Sequence, residues 1–196
     1  MNRWHGRAPI RGASLVDFER LKREIIAAGR NVAAVLLRQA PGEPTLDLVY
    51  GSLRLRACLE LGLPLFAVVV DLTELELFET MVREGADGWS VFELGVSLKR
   101  ALEVGLYPSL RRLADECGLE QSRAGLALQA ASLPEYILQA IGSPERLTPG
   151  NVRSLVTTLT RDPDGVLTRA AALTGQPKAS PARALSSLLQ RAQLKV

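Results

Sequence analysis

Strand-type and helix-type hydrophobic patterns are segregated along this chain, and the break falls near residue 88. Before it, apolar residues alternate with polar ones or gather in short runs rich in valine and leucine. After it, they recur at three- and four-residue spacing, with Pro134, Pro149, Pro163 and Pro181 at the joints. Period two is the signature of a strand and period 3.6 that of a helix. A sheet can therefore form only from the first half, and the second half must be all-helical. The fold class is α+β, a small mixed α/β domain followed by a helical domain.

The elements follow from the same pattern. Residues 1–14 carry Gly6, Pro9 and Gly12 among Arg3, Trp4, Arg7 and Arg11 and read as a flexible basic arm. Ser14 is placed to cap a helix in which Leu15, Phe18, Leu21 and Ile25 share one face, with Gly29 as its stop. Residues 31–39 and 46–50 read as two strands of a hairpin around Pro41-Gly42-Glu43-Pro44. A helix is expected at 53–61 and a wholly apolar, buried strand at 65–70. An acidic amphipathic helix follows at 73–83. Helices are then expected at 90–103, 109–117, 121–131, 134–141, 148–160, 163–173 and 181–193. The resulting domains are 15–88, mixed, and 89–196, helical.

Composition excludes several functions. The 196 residues contain one histidine, His5, and two cysteines, Cys58 and Cys117. That removes a disulfide framework, a four-cysteine zinc site and a His–His metal pair. The longest apolar stretch, 61–70, is broken by Gly62 and Pro64 and falls short of the ~18 residues of a membrane span. With no signal segment at the start, the expected location is the cytoplasm. Cys58 and Cys117 are expected to be buried small residues. A net charge of +3 conceals an uneven distribution. Residues 1–30 hold seven basic and three acidic side chains, 71–93 hold seven acidic and one basic, and 94–196 hold thirteen basic and eight acidic.

Two segments carry candidate chemistry. Residues 110–129 read LRRLADECGLEQSRAGLALQ. Ala114 is small where two helices of a helix-turn-helix touch, and Gly118 supplies the positive φ of the turn. The motif spans 109–131. Gln121, Ser122 and Arg123 point from the N-terminal end of its second helix, the end that meets base edges. Lys99, Arg100, Arg111 and Arg112 are candidate phosphate contacts. A plain helical hairpin in a bundle would show the same spacing. The second segment, Tyr50-Gly51-Ser52-Leu53-Arg54-Leu55-Arg56-Ala57, joins a strand to a helix. A glycine allows close approach, and free N–H groups at a helix start attract anions. Arg54 and Arg56 are two apart and leave a helix on different sides; they read equally as phosphate ligands or as solvated arginines. No Walker A pattern occurs. Glu84 and Asp87 lie at a helix end beside glycines, where carboxylates either hold a divalent cation or simply face water.

These residues resemble the ParB family of plasmid partition proteins, with a ParB/sulfiredoxin-fold domain followed by a helix-turn-helix domain. The stretch 46–64 is similar to the family's arginine-rich G-x-R-R-x-R-A box, 77–84 to the helix leading into its Glu-Asn-x-x-Arg signature, and 110–129 to its helix-turn-helix. The segments at 133–134 and 162–167 also resemble plasmid members, so the likeness spans residues 15–175. The resemblance implies that Gly51, Ser52, Arg54, Arg56 and Ala57 cradle the phosphates of a nucleoside triphosphate, CTP or ATP, with Mg²⁺, and that Glu84 sits beside it. This chain departs from the pattern at Leu53, where the box has its first arginine, and at Gly85, where the second signature has asparagine. It shows neither the N-terminal segment that engages a partner ATPase nor the separate dimerisation domain of full partition proteins.

The resemblance therefore implies a short, plasmid-borne accessory member. Its expected role is DNA binding in plasmid maintenance or in control of conjugative DNA transfer, with components of a partition or transfer system as partners. The alternative is a metal-dependent DNase, with or without ATPase activity, similar to fertility-inhibition (oncogenic-suppression) proteins. There Arg54 and Arg56 clamp phosphates, and Glu84 or Asp87 holds the cation. A third alternative is an interaction module that keeps the fold alone.

Overall fold

The structure is a computed structural model and describes residues 15–39, 42, 45–85, 88–174 and 180–190. The basic arm with Trp4 and His5, the cap Ser14 and the candidate ligand Asp87 lie outside the described residues. The chain divides into two compact units, residues up to Trp89 with Glu116–Gly118, and Ser90–Asp115 with Leu119 onward. Among the described residues no helix is long and apolar enough to cross a membrane.

The first unit contains α1 (Leu15–Ala28), β1 (Val35–Gln39), β2 (Leu46–Tyr50), α2 (Ser52–Leu61), β3 (Ala67–Val70) and α3 (Glu74–Gly85). β1 and β2 form the expected antiparallel hairpin, with a register irregularity between Leu36 and Leu37. β3 lies parallel to β1 on its other side, giving the order β2-β1-β3. α1 and α2 close on each other through Phe18, Ile25, Ala57 and Cys58. α3 packs against β2 and buries Leu77, Phe78, Met81 and Val82. Thr73 and Glu76 cap its start reciprocally: Glu76 N–H donates to the threonine hydroxyl, and Thr73 N–H donates to the carboxylate at 2.9 Å. That carboxylate bond, with a second from the Thr73 hydroxyl, holds the Glu76 carboxyl below its ordinary range.

Two expectations are corrected here. β1 begins at Val35, four residues later than the apolar run suggests. The reason is Asn31, which is completely buried. Its Nδ2 donates to the carbonyls of Ala33 at 2.8 Å and Phe66 at 2.7 Å. Its Oδ1 accepts from the Phe66 amide at 2.7 Å and the Cys58 thiol at 3.7 Å. Side-chain bonds thus replace ladder bonds until Val35 N–H reaches Phe66 O. Second, the expected buried strand is β3, an edge strand: Val68 is 42% and Val69 55% exposed. Only β1 flanks it, so apolar content was no guide to burial. The start of α3 is also tied to the sheet by a buried cation. Arg38, 3% exposed, donates to Glu74 at 2.7 Å, to Asp47 at 3.3 Å and to the Leu72 carbonyl at 3.1 Å.

After Ser90 the described chain is helical: α4 (Val91–Glu103), α5 (Leu110–Cys117), α6 (Gln121–Ala131), α7 (Glu135–Ile141), a 3-10 turn (Pro144–Arg146), α8 (Pro149–Arg161), α9 (Pro163–Thr174) and α10 (Pro181–Leu189). Pro149, Pro163 and Pro181 open their helices, where a missing N–H costs nothing. Pro134 instead occupies the cap position before α7. Ser90 and Glu93 form a capping box at α4, and Thr148 and Asn151 satisfy the same two amides at α8. Leu126, Leu133, Ile137, Ile141, Val152, Leu155, Val166 and Leu188 form the core. α4 crosses α6 at Gly95, where an added Cβ would lie 1.9 Å from the Ala127 carbonyl oxygen. Both cysteines are buried, as expected, and neither is in a disulfide.

Two substitutions test these contacts. Asn31→Ala leaves the Phe66 amide unpaired and is expected to cost about 2–3 kcal/mol in urea unfolding. Gly95→Ala forces α4 from α6 and is expected to cost about 3 kcal/mol in the same measurement.

Candidate functional site

The arginine-rich turn is built by β2 ending directly against α2. Gly51 is the N-cap of α2 at φ 100°, a left-handed conformation that L side chains rarely adopt. A Cβ there would also press on Val35 Cγ2 at 3.1 Å. Glycine brings no side chain to cap the helix, and the first helical bond is Leu55 N–H to the Gly51 carbonyl at 3.0 Å. The amides of Ser52, Leu53 and Arg54 precede it in the first turn, where helix geometry supplies no acceptor. Three N–H groups at the positive end of a helix make a place for an anion.

The two arginines of this turn are placed differently. Arg54 is half-buried, with its guanidinium carbon 5.5 Å from the Tyr50 ring centroid. It borders an open cleft of about 160 Å³ whose other walls are Leu21, Glu24 and Ile25 of α1 and the segment Asn31–Ala33. Arg56 leaves the opposite side. Its Nε donates to Glu60 at 2.7 Å, and its guanidinium rests 4.9 Å over the Phe18 ring. Lys22 reaches the other oxygen of Glu60 at 3.3 Å. The Arg56 bond, then Lys22, holds the Glu60 carboxyl below its ordinary range, and Glu60 in turn raises Lys22. Arg56 thus ties α2 to α1, whereas Arg54 faces the cleft.

Of the remaining candidates of this unit, Ser52 belongs to the turn, whereas Ala57 and Glu84 do not. Ser52 opens α2 and is half-buried, while Ala57 is fully buried between α1 and α2 and packs against the core. Glu84 is exposed in the last turn of α3. Among the described residues no three acidic, histidine or cysteine side chains converge as a metal site. Glu24 and Arg30 were not anticipated. Glu24 lies on the cleft wall, and Arg30 stacks on Phe66 at 4.9 Å. Arg30 follows a helix-stopping glycine, the one sequence signal that could have placed it near a site.

The second candidate surface is α5 and α6. Gly118 takes φ 67°, and Leu119 N–H bonds the Ala114 carbonyl at 2.8 Å, closing the turn. Leu113, Ala114, Ala124 and Ala127 are buried, as a tight helix pair requires. Arg111, Arg112, Gln121 and Ser122 are exposed, and Arg123 is half-buried. Arg111 lies 4.0 Å from Asp115, and Gln121 donates to the same carboxylate at 3.3 Å. On α4, Lys99 is half-buried 4.0 Å from Glu103, and Arg100 is exposed.

The asymmetry of the two box arginines is open to measurement. Arg54→Ala is expected to abolish binding of inorganic triphosphate in calorimetry without lowering Tm. Arg56→Ala is expected to lower Tm and leave triphosphate affinity nearly unchanged. The acid limb of stability tests the same tether. A carboxyl whose folded pKa is lowered contributes fully above its unfolded value near 4.5, and the contribution fades as pH falls through the lowered value. Arg56→Ala should therefore flatten the stability profile below pH ~4.5.

No family model matches the chain, and no curated protein matches it in sequence. Solved structures do. The C-terminally truncated chromosome-partitioning protein ParB from Caulobacter crescentus, complexed to the centromeric parS site, is 22% identical with a TM-score of 0.50. The match covers 87% of this chain and 91% of that one. The same truncated ParB complexed with CTP-gamma-S is 22% identical with a TM-score of 0.33, covering 86% and 92%. The first likeness, over most of both chains, shows that this protein has a ParB-like fold, a small α/β unit followed by a helical one.

Proposed function

We propose that this protein is a ParB-type DNA-binding protein that reads DNA through α5 and α6 and holds a nucleoside triphosphate at the start of α2. The observation that carries the reading is the closed α5–Gly118–α6 turn with polar and basic residues at the start of α6, in a chain whose fold resembles a ParB solved on its parS site. Gln121, Ser122 and Arg123 stand where a recognition helix meets base edges. Lys99, Arg100, Arg111 and Arg112 supply phosphate contacts, which fix orientation. The residues 15–88 and 89–196 then act as a nucleotide domain and a DNA domain.

The nucleotide half rests on Gly51, Ser52, Arg54 and the cleft beside them. Backbone amides at a helix start and one guanidinium suit a phosphate chain. The neighbouring walls of Leu21, Ile25 and Val32 suit a flat apolar-faced base, with Glu24 as a polar group at its edge. When bound, the nucleotide supplies charge that Arg54 neutralises; Arg56 keeps α1 and α2 together around it. Plasmid maintenance or control of conjugative transfer is the biological setting this reading favours, with Mg²⁺ accompanying the triphosphate.

Fluorescence anisotropy on duplex DNA of random sequence tests the DNA half. Four phosphate contacts predict that log K falls with log salt at a slope of about −3 to −4 per bound chain. Arg111→Ala or Arg112→Ala should reduce that slope by about one. Arg123→Ala should leave the slope nearer wild type while weakening discrimination among sequences. A protein that shows no salt-dependent binding overturns the reading.

A further inference from the structure

The sheet of the first unit ends on a strand with an open side. Among the described residues only β1 flanks β3, and Val35 N–H donates to the Phe66 carbonyl at 3.0 Å. In a parallel pair that bond turns residues 66, 68 and 70 toward β1. The N–H and C=O groups of Ala67, Val69 and Asp71 therefore face the other way. Natural sheets blunt such an edge with a charge, a proline or a bulge. From Phe66 to Val70 the strand carries no charge and no proline, and its register with β1 is regular. Phe66, Val68 and Val69 are exposed along it. An unprotected edge of this kind is a template for one more strand.

The two ends of β3 carry opposite charges. Arg30 is exposed and stacks on Phe66 at one end, and Asp71 is exposed at the other. A copy of the same strand laid antiparallel brings each Asp71 to the end where the other copy's Arg30 lies. A parallel copy would set like charge beside like charge. A two-fold axis at Val69 also matches the main chains. Val69 then faces Val69 of the second copy and exchanges both outward bonds with it, and Ala67 does the same with Asp71. On the other face Val68 meets Val70, so valine packs on valine across the seam. We propose that β3 is the seam of a homodimer, in which two copies of this chain join their three-stranded sheets edge to edge, antiparallel, into one continuous sheet. The contact uses the same surface on both copies and closes on itself, as a two-fold interface must. It depends on neither the DNA reading nor the nucleotide reading.

Analytical ultracentrifugation of the full chain over a dilution series, with amide hydrogen exchange at both ends of the series, tests the seam. Wild type is expected to pass from dimer to monomer on dilution. The amides of Ala67, Val69 and Asp71 should exchange about tenfold or more slowly in the dimer than in the monomer. Val69→Pro removes an outward N–H that β1 does not use, so it should keep Tm near wild type and yield a monomer. Val69→Lys sets two ammonium groups against each other at the axis and should weaken the dimer about fivefold or more. Because Val69 is exposed, the lysine leaves the fold intact and keeps the test open if the proline variant misfolds. Asp71→Arg places like charges at both ends of the seam and should weaken the dimer about threefold. A wild type that is monomeric at every concentration overturns the inference. So does a dimer that both Val69 variants leave intact, or one whose Ala67 and Val69 amides exchange as fast as in the monomer.

Discussion

One buried side chain joins the parts of the first unit. Asn31 lies just past α1, bonds both the amide and the carbonyl of Phe66 ahead of β3, and receives the thiol of Cys58 from α2. A polar side chain at zero exposure is tolerable only because its amide is spoken for on both ends. Its position in turn determines where β1 begins, and so where β1 can pair with β2 and β3. Because Asn31, Val32 and Ala33 also form one wall of the cleft beside Arg54, the same hydrogen bonds that end the loop shape the candidate nucleotide site.

The arginine turn divides its labour along the helix. Positions two apart on α2 point to different sides, so one guanidinium is consumed by Glu60 and Phe18 while the other remains toward the cleft. Arg38 extends the principle to the sheet: its charge is matched by Asp47 and Glu74, and its burial joins β1, β2 and α3. Removing one member of such a cluster strands the others, which makes it a structural clamp rather than a surface for ligands.

Much of the fold was legible because it rests on period and punctuation. The helices after Ser90, the hairpin and the turn at Gly118 follow from apolar spacing, proline and glycine, all local signals. The divergence of Arg54 and Arg56 was visible as a two-residue offset. What escaped was long-range. Asn31 meets Phe66 across 35 residues and Arg38 meets Glu74 across 36, and no window of periodicity reports either. The edge position of β3 escaped for the same reason: exposure there is decided by sheet order, not by the valines themselves.

Charge on the α5–α6 segment bears on the DNA binding proposed for it. Residues 110–131 carry Arg111, Arg112 and Arg123 against Asp115, Glu116 and Glu120, three against three. Under the proposed reading these arginines would act as placed phosphate contacts, whose number, rather than the net charge of the segment, sets the salt dependence. Discrimination by this surface would, under the same proposal, come from hydrogen bonds at base edges. Under the proposed function, the net charge of +3, carried mainly toward both ends of the chain, would bring the protein to DNA, and the neutral helix pair would choose where it stays.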